Sequence, residues 1–281
     1  MQCEWKEDVI MESKQQFLHI ANEVHKAIND CFQFAGKNNP NAFMLFLAKA
    51  RWYGNPINKY LLDYMGDDYK DETRNCFYVH YMEEFYPTKL YDYKEDSGSC
   101  SYNLQIEMLI YSQLWESHPF LYKLASLAQI CTDDYYDWKL VVPDNRLHEY
   151  IKEQIITPLK AKGLKLGELI DGCYNSNFRN ALAHGLYTIN AERQTIDLFN
   201  RDAIESGNTH YTFETFQNLF VRAILLDNLL QKLLGEYREV AAKEEIVMPP
   251  FQISEDDNRT ISISVVKHAA TGRVRFEGKI S

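Results

Sequence analysis

The chain has 281 residues, 46% of them hydrophobic and 14% aromatic, which is apolar side-chain area enough for a sizeable core. A formal charge of −10 excludes a broad basic surface that grips nucleic acid through many phosphates, so chemistry on a polyanion has to be local to one cleft. The six cysteines, Cys3, Cys31, Cys76, Cys100, Cys131 and Cys173, contain no Cys-x-x-Cys pair, which excludes a locally spaced zinc cage or redox motif and points to a reducing compartment.

The chain opens on Met-Gln-Cys-Glu-Trp-Lys-Glu-Asp, charged where a signal peptide needs an apolar stretch, and no later apolar run approaches ~20 residues. The expectation is a soluble, cytoplasmic protein without membrane contact. Val9, Ile10, Phe17, Ile20, Val24, Ala27, Ile28 and Cys31 recur mostly three and four residues apart, predicting one long amphipathic helix over 8–35 that stops before Gly36-Lys37-Asn38-Asn39-Pro40. Shorter helices are expected at 41–50, 57–65 and 70–84. The apolar period is lost between Pro87 and Ser101, where Lys-Glu-Asp-Ser-Gly-Ser marks a loop or domain junction. Helices resume at 103–115 and 119–131, and 145–172 reads as helix broken near Pro158 or Gly163. The tyrosine-rich stretch from Tyr53 to Tyr136 reads as core or partner interface ahead of a stacking surface for RNA bases.

A short helix at 177–184 follows, then alternation from Tyr187 to Phe199 about Asn190-Ala191-Glu192-Arg193, the pattern of a hairpin. Phe216, Leu219, Phe220, Ala223, Leu226, Leu229, Leu230, Leu233 and Leu234 define the buried side of a strong helix from about Thr212 to Val240. Beyond Phe251 the period becomes two, with Ile261, Ile263 and Val265 and then Val274 and Phe276 after a Thr-Gly turn, which predicts a small β meander.

Within Asn177-Phe-Arg-Asn-Ala-Leu-Ala-His-Gly-Leu-Tyr187, Asn180 and His184 stand four residues apart, and Arg179 is long enough to swing towards the same point. Ala181 and Ala183 keep that surface low. RNA is cut without metal when its own 2′-hydroxyl attacks the adjacent phosphate, which requires proton removal, protonation of the leaving oxygen and neutralisation of phosphorane charge. Histidine in general titrates where such proton transfers need it, arginine presents a fork matched to phosphate oxygens, and asparagine orients by hydrogen bonding. The catalytic candidates are therefore Arg179, Asn180 and His184, with a second acid or base still required. No cofactor-binding or metal-binding residue is expected for this chemistry.

Two rival clusters, Asp67-Asp68-Tyr69-Lys70-Asp71 and Asp133-Asp134-Tyr135-Tyr136-Asp137, are both Asp-Asp-x-x-Asp and resemble the Mg²⁺-diphosphate sites of isoprenoid synthases. The basic residues that follow the first set in that family are missing here, and the two sets lie too close in sequence, so solvated surface is the expected role. His19, His25, His80, His118, His148, His210 and His268 show no metal-ligand spacing, and there is no phosphate-binding glycine loop.

Residues 167–187, Gly-Glu-Leu-Ile-Asp-Gly-Cys-Tyr-Asn-Ser-Asn-Phe-Arg-Asn-Ala-Leu-Ala-His-Gly-Leu-Tyr, resemble the signature of the HEPN superfamily, in which Arg, four to six residues and His open the third helix of a four-helix domain. Arg-Asn, then Ala-His-Gly and a hairpin before a long last helix, is similar in particular to the abortive-infection and Apea-like branches. The resemblance implies a mainly α protein: a HEPN-type four-helix bundle with a β-hairpin insertion over 101–241, an N-terminal helical region over 1–100 and a β-strand tail over 242–281. It implies a metal-independent endoribonuclease of phage-defence or toxin systems that leaves a 2′,3′-cyclic phosphate, works as a homodimer with two facing motifs, and has an antitoxin or defence-system partner protein. Glu168 or Asp171 on the preceding helix then offers the carboxylate that pairs with the motif arginine. Tyr187 stands three residues after the histidine, where some members carry a modified tyrosine two residues after it. The other reading is a catalytically silent dimerisation or recognition module on the same fold.

Overall fold

The computed structural model describes residues 7–52, 60–64, 77–78, 97–133, 135–190, 192–254, 257–268 and 271–281. The protein is mainly α-helical with small antiparallel sheets. The first helix, α1 (Glu7–Asn38), runs into α2 (Pro40–Leu47), with Asn39 capping the second through a bond from the Ala42 N–H to its side-chain oxygen at 3.3 Å. α2 is buried along almost its whole length, as an apolar Phe-Met-Leu-Phe-Leu run requires.

The helix expected at 57–65 is corrected: Tyr60–Leu61 is a strand, β2, paired antiparallel with β1 (Arg51–Trp52). A short apolar run carries no period long enough to separate helix from strand, and tertiary pairing decides it. Of the helix expected at 70–84 only Phe77 and Tyr78 are described, both helical, and 87–96 lie outside the described residues. The Pro87–Ser101 loop is shortened from its far end, because α3 (Ser97–Trp115) already begins at Ser97.

α4 (His118–Thr132) starts at Ser117, whose hydroxyl accepts from the Phe120 N–H at 3.4 Å. Next comes one helix in three parts: α5 (Leu147–Tyr150), a wide π segment over Ile151–Ile156, and α6 (Thr157–Ala161). Pro158 cannot donate to the preceding turn, and the widened segment accommodates it without a break. The break falls instead at Gly163, with φ +70°, before α7 (Lys165–Cys173). Gly167 lets α7 lie close on α6: a Cβ there would stand 2.8 Å from the Lys160 backbone nitrogen.

α8 (Ser176–Ala183) leads into a sheet ordered β3 (Tyr187–Asn190), β4 (Thr195–Leu198) and β5 (His210–Thr212), with α9 (Arg201–Ser206) between the last two strands. α10 (Phe213–Lys243) follows directly, and the tail forms a meander of β6 (Val247–Ser254), β7 (Asp257–Lys267) and β8 (Val274–Ile280).

One hydrophobic core joins residues from α1 to the tail sheet. α1 packs along α10 and touches α4 and α7, so the N-terminal helix shares the core of the 101–241 region. The tyrosines of 111–136 are largely internal: Tyr136 donates to the Ala50 carbonyl at 2.8 Å, and Tyr122 lies 3.2 Å from it, hydroxyl to hydroxyl. No helix among the described residues is long and apolar enough to cross a membrane.

Candidate active site

α8 is short, and its two ends fix it. At the start, the Asn175 side-chain oxygen accepts from the Phe178 N–H at 2.9 Å while its amide donates to the Tyr211 hydroxyl at 2.9 Å. At the end, His184 is the capping residue and Gly185 turns left-handed at φ +64°. The Gly185 N–H reaches the Leu182 carbonyl at 3.2 Å and the Leu186 N–H reaches that of Ala181 at 2.8 Å, the two reciprocal bonds of a Schellman stop. The helix thus ends one residue earlier than the sequence suggests, with the histidine on its terminal turn.

The inner face of α8 is anchored by Phe178, fully buried, stacked on Phe216 at 5.0 Å and edge-on to Tyr111 and Tyr211 at 6.0 and 5.1 Å. Tyr111 also straps the corner between α7 and α8: its hydroxyl donates to the Cys173 carbonyl and accepts from the Asn175 N–H, both at 2.9 Å. Burial pushes that phenol well above its ordinary pKa, so it stays a neutral donor and acceptor. Burial likewise raises the Cys173 thiol to about 12, which makes it an inert core group.

On this scaffold Arg179 turns inward. Its Nη1 pairs with Glu116 Oε1 at 2.6 Å; the arginine side chain is 13% exposed and the glutamate 41%. Glu116 sits just beyond α3, which corrects the expectation that Glu168 or Asp171 fills this place. Asp171 pairs with Lys160 instead, and Glu168 is exposed on α7. Tyr174 lies beside the guanidinium; burial raises its phenol pKa, Arg179 opposes that shift and Glu116 adds to it. Among the described residues, Arg179 Nε, the Tyr174 hydroxyl and Trp115 Nε1 are buried without a hydrogen-bond partner. Such groups are uncommon in folded proteins and carry an energetic cost.

Residues five apart on a helix are turned by about 140°, and four apart by about 40°. Accordingly Asn180 and His184 share a side, Asn180 half-buried and His184 exposed, while Arg179 points to α3. The three candidates occupy one short helix, but Arg179 is drawn into the protein and does not swing out beside the histidine. Tyr187, at the start of β3, is half-buried against the core.

Of the aspartate clusters, Asp67–Asp71 and Asp134 lie outside the described residues. Asp133 caps α4 in extended conformation and Asp137 accepts from the Lys139 N–H at 2.8 Å in the following loop, so these two do not share a helix face. Among the described residues no group of three His, Cys, Asp or Glu is placed to hold a metal ion. Glu116 was invisible in the sequence because 63 positions separate it from Arg179. Tyr174 adjoins the motif and was the one neighbour open to discovery, as an aromatic at the turn between two helices.

The chain matches no family model, no curated protein and no solved structure.

Proposed function

We propose that the protein is a metal-independent endoribonuclease of the HEPN kind, with the helix Ser176–Ala183 and its cap as the active-site element. The observation that carries the reading is an almost buried arginine, Arg179, on the same two-turn helix as an exposed His184. In this reading RNA lies across the exposed end of α8. The 2′-oxygen forms a bond to phosphorus while the bond from phosphorus to the 5′-oxygen breaks. One proton leaves the 2′-hydroxyl for a base and one is delivered to the 5′-oxygen, giving a 2′,3′-cyclic phosphate and a free 5′-hydroxyl. His184 carries a proton, Asn180 orients the phosphate, and Arg179 supplies positive potential from beneath. Glu116 holds that cation in place in an otherwise acidic protein.

The second proton carrier is His184 of a second copy. Leu186, two residues beyond His184, and Phe199, just after the second hairpin strand, are exposed at 42% and 53%, with the Phe199 N–H bonded to the Leu186 carbonyl at 2.9 Å. Such an apolar patch beside the motif suits a two-fold interface. A role in phage defence or as a toxin restrained by a partner protein follows from the resemblance and belongs to the same proposal. One observation favours the silent recognition module instead: Arg179 is already ion-paired within the chain.

Incubation of the native protein with total RNA in EDTA tests the reading. The expected outcome is fragments ending in 2′,3′-cyclic phosphate, from protein whose solution mass by light scattering is that of a dimer. No cleavage under any condition leaves the recognition module, and cleavage that stops in EDTA refutes the metal-independent mechanism.

A further inference from the structure

Three aromatic rings form a column from the core to the surface beside Arg179. Trp115, fully buried, lies 4.9 Å from Tyr174 with the planes tilted by 57°, and Tyr174 is stacked on His148 at 5.9 Å with the planes 27° apart. Tyr174 is 9% exposed, whereas His148, on the first turn of α5, is open to solvent. The series therefore ends on a solvent-exposed imidazole packed against Tyr174. The polar neighbours are unlike those of a purely structural stack. The inner end carries Trp115 Nε1 without a partner among the described residues, and Glu116 and Arg179 flank the tyrosine.

We propose that the exposed face of His148 is a nucleobase-stacking subsite that takes one unpaired base of single-stranded RNA, the strand continuing past Arg179 towards the exposed end of α8. A nucleobase is the natural next member of such a column, since every base has a π-face and stacks on imidazole as on other aromatic rings. A base inside a duplex has no free face for it, so the subsite selects single strands, loops and ends. Stacking tolerates any base, and the few cations of an acidic protein then need to hold only the phosphates nearest the cut. The inference rests on the ribonuclease reading and names the form of RNA that the site accepts.

The test uses full-length protein carrying His184→Ala, so that RNA is bound without being cut, and a labelled single-stranded RNA oligonucleotide followed by fluorescence anisotropy. Adding His148→Ala is expected to weaken binding roughly 5- to 100-fold, and His148→Phe, which keeps a ring but no titratable nitrogen, to stay within about twofold of the parent. The same RNA annealed to its complement is expected not to compete. Equal binding by His148→Ala overturns the subsite, as does an equal loss in His148→Phe, which would assign the imidazole a role in charge or proton transfer. A parent that binds no RNA overturns it as well. Cleavage by the native protein is scored separately: His148-dependent binding without cleavage keeps the subsite and removes the nuclease, whereas cleavage with His148-independent binding does the reverse.

Discussion

Two arginines of nearly equal burial, Arg179 at 13% exposure and Arg238 at 12%, each face a carboxylate, at 2.6 and 2.7 Å, yet their surroundings differ in kind. Arg238 is held from several sides. It donates to Asp63, to the Leu47 carbonyl and to the Val274 carbonyl at 3.2 Å, and its guanidinium lies 4.6 Å from the centre of the Phe276 ring. The other Asp63 oxygen accepts from the Phe276 N–H at 2.6 Å, so the pair ties α10, the end of α2 and the tail sheet together. Arg179 has a carboxylate partner that is itself 41% exposed, an Nε with no partner among the described residues, and a neighbouring phenol in the same condition. Arg238 is bound to three separate elements of the fold, whereas the one ion pair of Arg179 runs to a carboxylate open to solvent, on a helix that carries an exposed histidine at its cap.

That contrast breaks most visibly under truncation. Arg238→Ala leaves the half-buried Asp63 without its cation, with only the Phe276 N–H still donating to it among the bonds named above, and is expected to lower stability by about 3 kcal/mol in chemical denaturation, with cleavage per folded molecule unchanged. Arg179→Ala is expected to show the opposite balance. Cleavage should fall roughly 10²–10³-fold, as for loss of one preorganised charge donor, while stability drops by only about 1 kcal/mol because Glu116 turns to water. A larger stability loss than that of Arg238→Ala would make Arg179 a tie and remove it from the site.

Smaller changes sharpen the same comparison at the scaffold of α8. Tyr111→Phe strands the Asn175 N–H and the Cys173 carbonyl and is expected to cost about 1–3 kcal/mol, read as a shift in denaturation midpoint. Gly185→Ala meets no atom within 4 Å, so its expected cost is the left-handed backbone alone, about 1–2 kcal/mol, with His184 kept in place. If Gly185→Ala abolishes cleavage at so small a stability cost, the cap geometry is itself part of the site.

Local signals in the sequence were the ones that survived folding. The short helix at 177–184, the apolar stripe of α10 and the period-two tail are each written within a few residues, and the structure has a helix or a sheet at each. What was illegible depends on distant partners. Tyr60–Leu61 becomes a strand through its pairing with Arg51–Trp52, and the Trp52 N–H in turn donates to the Trp138 carbonyl. α9 is six residues with no side-chain cap bond at its start, too short for an apolar period, and only Gly207 at φ +73° marks its end. Within the site, His184 and Asn180 could be placed on one side of a helix from spacing, while the inward turn of Arg179 is set by Glu116, which local spacing does not reach. Likewise the stack of His148 on Tyr174 joins α5 to the corner before α8 and has no local signature.

The central claim is that His184 performs proton transfer in RNA cleavage, and the most direct measurement compares native protein with His184→Ala on total RNA in EDTA at matched folded concentration. The account predicts a rate loss of roughly 10²–10⁴-fold in a protein with unchanged helical content and unchanged denaturation midpoint. Full cleavage by His184→Ala, with RNA ends identical to those from the native protein, would contradict it.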